Sequence, residues 1–231
     1  FGMPSFSDNL RDLAMDVEFI KGGEPAFMVT TFAGYVGAAT GMRPGVFSVT
    51  VNAREMTGPL PIPNLLKGVL NLINALETTD AYPVTWATRE ALEDDSTTFK
   101  SVVKMFSERP LATQIYLIIG GAAQGEGVVL TRDHNSLLNA WEMDAASGEW
   151  FLVQTNYDHW LPMPIWDNRR IPAEKALKKV GTDAILASAI YSNVLSLDPI
   201  LNKLTVYSTI MSCGEGKYES FSRKCDGCSP I

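Results

Sequence analysis

The sequence predicts an α+β fold with mostly antiparallel sheets, in a single domain that spans residues 1–231. Two observations support this prediction. Strand-like and helix-like patterns come in separate groups along the chain, whereas a parallel sheet requires them to alternate. Neither an internal repeat nor a linker-like stretch divides the chain into separate units.

The first part of the chain predicts the start of a sheet. Apolar and polar residues alternate over 13–20, and residues 26–32 are again strand-like, with a pair of glycines at the turn between them. Three glycines among small residues over 33–42 indicate that the backbone there packs closely against another backbone or against a ligand. A further strand is predicted at 46–51.

Helices are predicted next, from apolar residues at helical spacing. The segment 64–77 is apolar over most of its surface, which is typical of a buried helix. Two further helices are predicted at 83–92 and 97–106. The second of these has a Ser or Thr at its start and ends before Pro110.

The second half of the chain predicts a series of strands with short connections. These strands are placed at 114–119, 126–131, 138–143 and 149–155. Because two-residue to few-residue turns join antiparallel neighbours, we expect an antiparallel meander. Helices at 172–179 and 182–196, and strands at 203–211 and 217–221, complete the prediction.

Composition excludes several classes of protein. With 46% hydrophobic and 19% charged residues, the chain can build a sizeable core and is not intrinsically disordered. Acidic residues outnumber basic ones by 26 to 19 and no dense basic run is present, so we expect no nucleic-acid partner. No run approaches the roughly 18 apolar residues of a membrane-spanning helix, so we expect no transmembrane segment.

The cysteines lie near the C-terminus and do not indicate a metal site. Cys225 and Cys228 favour a local disulfide in an oxidising compartment over a redox dithiol, which leaves Cys213 free or paired outside this chain. Both histidines are distant from the cysteines in sequence, so we expect no metal ion. The glycines over 120–127 lack the Lys and the helix of a phosphate-binding loop, and we expect no cofactor.

One polar segment offers groups for catalysis. Asn156 follows a predicted strand, and Arg169 comes soon after it. An amide at a strand end can donate to a developing oxyanion, and an arginine can bind a carboxylate. The same residues also fit a capped loop with a structural pair between Asp167 and Arg169, so chemistry alone leaves both interpretations open.

Several longer segments resemble one family. They are TTFAGYVGAATGMRPGVFSVTVNAR at 30–54, GEGVVLTRD at 125–133, QTNYDHW at 154–160, DNRRIPAEKAL at 167–177 and PILNKLTVYSTIM at 199–211. In this order they are similar to the acid ceramidases and, somewhat less closely, to the related acid amidases that hydrolyse N-acylethanolamines. Because the similarity is collinear over nearly the whole chain, it is far more specific than any single motif.

The resemblance implies an N-terminal-nucleophile hydrolase with a four-layer αββα sandwich, of which this chain is the large (β) subunit. In this family a precursor cuts itself, and the new N-terminal Cys attacks a lipid amide with its own α-amine as base. Phe1 is not such a nucleophile. We therefore expect the Cys on a segment upstream of Phe1, within a smaller processed subunit or the same precursor, and a domain incomplete at its N-terminus.

The resemblance also implies roles for individual residues. Catalytic positions are expected at Asn156, near the oxyanion, at Arg169, which matches the family's active-site arginine, and at Asn52, a second polar position in the centre. Substrate-binding positions are expected at Phe32, Tyr35, Met42, Arg54 and Tyr157. The segment from Phe32 to Met42 is expected to form a wall of the channel for the acyl or sphingoid chain.

The activity implied is hydrolysis of ceramide to sphingosine and a fatty acid. Ala53 stands where relatives carry Glu, and Ala176 replaces a Cys that links the two processed subunits in acid ceramidase. Two alternatives therefore stay open. One is an inactive family member that serves as a lipid-binding or structural subunit, and the other is an amidase for N-acylethanolamines.

The resemblance further implies a lysosomal or secreted protein, although the sequence contains no Asn-x-Ser/Thr sequon. The apolar segment 62–76 has two possible roles. It is either a buried helix, in the core or against another subunit, or a helix that docks on a membrane or a lipid-presenting partner.

Overall fold

The computed structural model describes residues 4–54, 82–184 and 186–228 of the chain. The helix predicted over 64–77, and the docking role considered for 62–76, lie outside the described residues. Within them, two antiparallel β-sheets lie between helices, and the polar residues of interest collect between the two sheets.

A seven-stranded antiparallel sheet forms the centre of the described structure. A helix, α1 (Pro4–Leu13), precedes it. The strands are β1 (Ala14–Lys21), β2 (Glu24–Phe32), β3 (Thr40–Arg43), β4 (Phe47–Ala53), β5 (Ile115–Gly121), β6 (Gly127–Arg132) and β7 (Leu137–Glu142). They lie side by side in chain order, each antiparallel to the next. This arrangement confirms the expected hairpin at the start of the sheet.

Two helices, α2 (Val84–Glu93) and α3 (Phe99–Glu108), cover one face of this sheet. Successive side chains of a strand point to opposite faces, so alternate residues such as Val49, Leu117 and Leu130 point to the helices. These three are fully buried in the main hydrophobic core. Helix α3 begins at Thr98, whose hydroxyl accepts from the Ser101 N–H in a capping box. The opposite face of the sheet carries polar residues such as Thr30 and Asn52.

A second, two-stranded sheet packs against that other face. It consists of β8 (Tyr207–Ser212) and β9 (Lys217–Ser222). The Thr30 hydroxyl of β2 contacts the hydroxyls of Thr209 at 3.2 Å, Tyr218 at 2.7 Å and Ser220 at 2.6 Å. Hydrogen bonds between side chains therefore join the two sheets at this end.

A second layer of helices lies outside the two-stranded sheet. It contains α4 (Arg170–Val180) and α5 (Ala187–Ile190), which continues into a π-helical turn at Tyr191–Leu195. The ring of Tyr191 packs on Phe221 of β9, with 4.5 Å between centroids. The order is thus helices, seven-stranded sheet, two-stranded sheet and helices, which confirms the αββα class.

Some elements differ from the sequence prediction. Residues 149–155 are not a strand, because no neighbouring strand among the described residues pairs with them. The helix predicted over 182–196 is broken into a 3₁₀ turn at Thr182–Ala184, α5 and the π-helical turn. Strand β3 was not predicted, and the closest packing at Gly41 is against side chains. A Cβ added at Gly41 would lie 2.6 Å from Leu92 Cδ1 of α2.

Three further expectations can be compared with the described part of the chain. None of its helices is both long and apolar enough to span a membrane. Over the same ranges, His, Cys, Asp and Glu form no group suited to holding a metal ion. Cys225 and Cys228 form the expected disulfide, whereas Cys213 is buried and unpaired.

Candidate active site

The candidate site begins where the end of β4 meets the loop that follows residues 149–155. The amide Nδ2 of Asn52 donates to the carbonyl oxygen of Gln154 over 3.4 Å. In return, Nδ2 of Asn156 donates to the carbonyl oxygen of Ala53 over 2.8 Å. These two hydrogen bonds place Asn52 and Asn156 next to each other, although about half the chain separates them in sequence.

Arg169 joins this pair through the buried Asp167. Its Nη2 donates to Oδ1 of Asn156 at 2.6 Å and to Oδ2 of Asp167 at 2.9 Å, while Nε donates to Oδ1 of Asp167 at 2.8 Å. The backbone N–H of Asn156 donates to Oδ2 of the same carboxylate at 2.9 Å. Asn156, Asp167 and Arg169 therefore form one hydrogen-bonded unit.

Asp167 stays ionised despite its complete burial. Desolvation alone would raise the pKa of its carboxyl group, but the hydrogen bonds from Arg169 and the Asn156 N–H outweigh it, and the pKa lies below the ordinary value. Paired charges of this kind are retained in an interior only where each has its partner. A carboxylate and a guanidinium therefore face each other here at neutral pH.

A second buried ion pair lies beside the first. Arg54 binds Asp158 through Nε–Oδ1 and Nη2–Oδ2, each at 2.8 Å, and the Tyr116 hydroxyl donates to Asp158 Oδ1 at 2.7 Å. Hydrogen bonding to Asp158 raises the pKa of Arg54, and burial raises that of Tyr116. The pKa of Asp158 is lowered: burial opposes ionisation, but the bonds from Arg54 and Tyr116 outweigh it. The Arg54 guanidinium, expected to bind substrate, thus forms its ion pair with Asp158 of its own chain.

Two adjoining cavities meet at Asn52 and Arg169, which line both. The first, about 510 Å³, is bounded by residues 204–209 and Phe32. The second, about 400 Å³, is bounded by residues 152–155 and by aliphatic side chains of α4 and the π-helical turn. Volumes of this order are typical of ligand-binding clefts. Of the hydrogen-bonded unit, Arg169 therefore lies at both cavities, whereas Asn156 and Asp167 line neither.

The residues expected to bind substrate are distributed unevenly around this space. Phe32 lines the larger cavity. Met42 is fully buried in β3, and Tyr157 is almost fully buried beneath the Arg170 guanidinium, 4.9 Å from the ring centroid. Tyr35 is 46% exposed and its hydroxyl contacts Thr85 at the start of α2. Of these four residues, only Phe32 lines either cavity, and it lines the larger one.

Cys213 is not placed to serve as the nucleophile. Its side chain is 4% exposed and its sulfur lies 3.8 Å from the carbonyl oxygen of Gly120. Burial raises the pKa of the thiol, which disfavours the reactive thiolate. It lines neither cavity.

Sequence reasoning missed part of the unit that the structure assembles. Asp167 entered only as a structural partner of Arg169, and Asp158 and Tyr116 were not singled out. Asp158 lies inside the motif QTNYDHW, so its position near Asn156 was a usable signal. Nothing in the sequence marks Tyr116, since a tyrosine in a strand is ordinary.

Comparison with known proteins places the chain in a family. No model of a protein family matches it. It is 42% identical over 209 residues to the N-acylethanolamine-hydrolysing acid amidase of Cavia porcellus, covering 90% of this chain and 55% of that protein. It is 38% identical over 219 residues to the acid ceramidase of Bos taurus, covering 95% of this chain and 53% of that protein.

A solved structure agrees with these relatives. The Caenorhabditis elegans orthologue of N-acylethanolamine-hydrolysing acid amidase superposes with a TM-score of 0.77 at 32% identity, over 90% of this chain and 84% of that one. The chain spans about half the length of the curated relatives it matches. Together with the αββα layers, these similarities establish that the chain belongs to the acid ceramidase and N-acylethanolamine acid amidase family, with its N-terminal-nucleophile hydrolase fold.

Proposed function

We propose that this chain is the large part of a lipid amidase, which cuts the amide bond between a fatty acyl group and an amine. One observation carries the proposal. The sheet face and the loop bring three residues together that the sequence separates widely: Asn52 and Arg169 line both cavities, and Asn156 is hydrogen-bonded to Arg169. This is the arrangement expected if these residues act on one substrate carbonyl.

In the proposed reaction, Asn156 stabilises the oxyanion that forms on the substrate carbonyl. A carboxamide nitrogen carries two hydrogens, and the Asn156 amide uses one of them on the Ala53 carbonyl. The second remains for the oxyanion. Asn52, whose amide is likewise partly engaged, supplies a second polar group and lines both cavities.

The nucleophile is proposed to be an N-terminal Cys on a segment upstream of Phe1. Its thiol proton passes to its own α-amine, the sulfur attacks the carbonyl carbon, and the amine product leaves with that proton as the C–N bond breaks. Water then cleaves the thioester and releases the fatty acid. The residues of this chain bind and orient the carbonyl throughout.

The edge of β8 supports a place for that upstream segment. The Arg223 N–H donates to the Val206 carbonyl at 2.8 Å, so by antiparallel alternation the backbone groups of Tyr207, Thr209 and Met211 point away from β9. No strand among the described residues pairs with that edge. We propose that the upstream segment adds a strand here, beside Asn52 and Arg169.

Residues 149–155 support the same placement from the other side. Residues 152–155 line the smaller cavity, while Tyr207, Ser208 and Thr209 of β8 line the larger one. An inserted segment would lie between two stretches of backbone that lack strand partners within the described ranges. The Cys of such a segment would lie within reach of the Asn156 amide.

The proposed substrate is ceramide, with an N-acylethanolamine as the second candidate. The similarity to both kinds of relative supports each choice. Ala53, which follows Asn52, is smaller and less polar than the Glu that relatives carry at this position. Because this position differs from the relatives, substrates with either amine, sphingosine or ethanolamine, should be tested. Ceramide and an N-acylethanolamine of equal acyl length, offered side by side to the complete protein, separate the two by their kcat/KM values.

Asn156→Ala in the complete protein tests the amidase proposal. Loss of one oxyanion donor is expected to lower turnover ~10²–10³-fold. N-terminal sequencing of the same material is expected to find a subunit that begins with Cys. Turnover within a few-fold of wild type overturns the role of Asn156, and the absence of any Cys-led subunit favours the alternative of a lipid-binding or structural subunit without activity.

The proposed location is the lysosome or the extracellular space. The disulfide between Cys225 and Cys228 supports an oxidising compartment, because such bonds are rare in the cytosol. Fractionation of cells that express the complete protein tests this, and recovery in the cytosol with both thiols free would contradict it.

A further inference from the structure

Asp167 is a buried charge to which two of the site's groups are attached. It is 0% exposed and lines neither cavity, whereas Arg169 lines both. Its two oxygens accept from the guanidinium of Arg169 and from the backbone N–H of Asn156. Asp167 therefore stands behind the site, on the side away from the space where a substrate would lie.

The position of Arg169 determines the orientation of the Asn156 amide, that is, which of its two ends is oxygen and which is nitrogen. A guanidinium has donors only, so the group that meets it at 2.6 Å must be the Asn156 oxygen. The nitrogen then faces the Ala53 carbonyl and keeps its second N–H free. If Arg169 moved away, the amide could rotate and present its oxygen to an oxyanion, which would be repulsive.

Successive hydrogen bonds thus connect the Asp167 carboxylate, through Arg169, to the proposed oxyanion donor Asn156. The Asp167 carboxylate fixes the Arg169 guanidinium at two nitrogens, and the guanidinium fixes the Asn156 side chain. The carboxylate also holds the Asn156 backbone directly. Both the backbone and the side chain of Asn156 therefore depend on the same buried group.

We infer that Asp167 is a positioning residue, which sets the donor orientation of Asn156 through Arg169 and makes no contact with substrate. The inference rests on the proposed amidase function for its kinetic consequence, but its geometric content stands apart from it. An effect of Asp167 on turnover that did not pass through Arg169 would differ in one respect. Its loss would then add to the loss of Arg169, because the two would act independently.

The kinetic experiment is a double-mutant cycle in the complete, processed protein. In Asp167→Asn the carboxamide offers one acceptor oxygen instead of two, and because Arg169 donates to both oxygens, one of its N–H groups faces an NH₂ group in either orientation. We expect kcat to fall about 10²-fold with KM within about threefold of wild type. The combined variant Asp167→Asn with Arg169→Gln is expected to have the kcat of Arg169→Gln alone.

The control is Glu93→Gln, which breaks the exposed pair between Arg89 and Glu93 on α2, across the sheet from the site. Its kcat is expected to stay within about twofold of wild type. The combined variant removes the two paired charges together and so leaves neither of them buried without its partner. If Asp167→Asn alone does not fold, the combined variant can therefore still be compared with Arg169→Gln. A kcat for the combined variant at least about tenfold below that of Arg169→Gln overturns the inference.

A measurement without turnover separates this inference from the proposed function. Nuclear magnetic resonance of ¹⁵N-labelled arginine side chains is expected to show slow rotation of the Arg169 guanidinium in wild type and fast rotation in Asp167→Asn. If no lipid amide is hydrolysed but this difference is seen, the positioning holds and the amidase proposal fails. Equal mobility in both proteins, or an Asp167→Asn kcat within about threefold of an active wild type, overturns the positioning.

Discussion

Arg54 binds Asp158 through two parallel hydrogen bonds of 2.8 Å, which fasten the end of β4 to the loop that carries Asn156. Both side chains are largely buried, and the Tyr116 hydroxyl completes the coordination of the carboxylate. A bidentate pair of this kind fixes angle as well as distance. The Ala53 carbonyl, which accepts a hydrogen bond from the Asn156 amide, therefore lies next to a residue whose position is fixed by this ion pair.

Removing Asp158 is expected to destabilise the protein strongly. Asp158→Ala leaves the Arg54 charge and the Tyr116 hydroxyl buried without their partner, and loss of one member of a buried pair costs about 3–5 kcal/mol. Urea unfolding of the complete protein measures the change. Glu93→Gln is the matched control, because its exposed pair contributes about 0.5 kcal/mol or less. Equal losses for the two variants would contradict the role of burial.

Acid is expected to weaken the fold through Asp158 and Asp167. In the folded protein both carboxyls have a pKa below the ordinary 3.8, because hydrogen bonds from their arginines outweigh the effect of burial. Their stabilisation is therefore complete above pH 3.8 and is lost as the pH falls through the lower folded values. Unfolding free energies followed down to about pH 3 should show this slope, and Asp167→Asn should reduce it. An unchanged slope in the variant would refute this assignment.

His159 is expected to add a second dependence on pH, at higher values. Burial and the nearby Arg170 lower its pKa below 6.5, against the weaker opposite effect of Asp158. The unfolded chain therefore takes up a proton first as the pH falls below 6.5, so stability decreases until the folded value is reached.

The variant His159→Gln tests this step. It removes the titrating group, at the cost of the stacking of the imidazole on Trp141, 4.2 Å between centroids. The change in unfolding free energy between pH 7.5 and about pH 5.5 is the measurement, since the lost stacking shifts both values alike. A variant with the wild-type difference would show that another group titrates.

Gly41 is expected to tolerate no side chain. A Cβ there would lie 2.6 Å from Leu92 Cδ1 and 3.0 Å from Val29 Cγ1, and both side chains are buried in the core. Gly41→Ala should therefore destabilise the protein by about 1–3 kcal/mol. Gly227→Ala is the control, because nothing lies within 4 Å of its added Cβ. Thermal unfolding compares the two, and similar midpoints would show that β3 and α2 can separate without cost.

The proposed upstream strand makes a prediction about individual amides of β8. In the complete protein, the N–H groups of Tyr207, Thr209 and Met211 should exchange hydrogen as slowly as those of Ser208 and Ile210, which face β9. Exchange followed residue by residue gives the comparison. Fast exchange restricted to Tyr207, Thr209 and Met211 would mean that no strand covers this edge.

The elements that could be predicted from the sequence are those whose structure follows from a local pattern of apolar and polar residues. The alternation over 13–20 places β1 within one residue of its observed bounds, and helical spacing places α2 and α3 within two. Strand β8 begins at Tyr207, later than the predicted start at 203. The Asn202 side chain accepts from the Leu204 N–H and holds a turn there, and such local competition is hard to read in a strand-like sequence.

Other features depend on contacts between residues that are distant in the sequence. Residues 149–155 have the composition of a strand, but a strand requires a partner, and none of the described residues supplies one. The resemblance located Asn156 and Arg169, whereas their link through Asp167 needed atomic positions. Arg54 shows the opposite case, because a residue expected at the substrate proves to be engaged by Asp158.

The edge of β8 that no described strand covers also bears on how such a protein is produced. An uncovered strand edge pairs readily with other strands, including the same edge of a second molecule, and this is a route to aggregation. If the proposed upstream segment pairs with this edge, the chain produced by itself is expected to precipitate more readily than the chain synthesised together with that segment. Cleavage between the two parts, made after folding, would then leave them bound as one body.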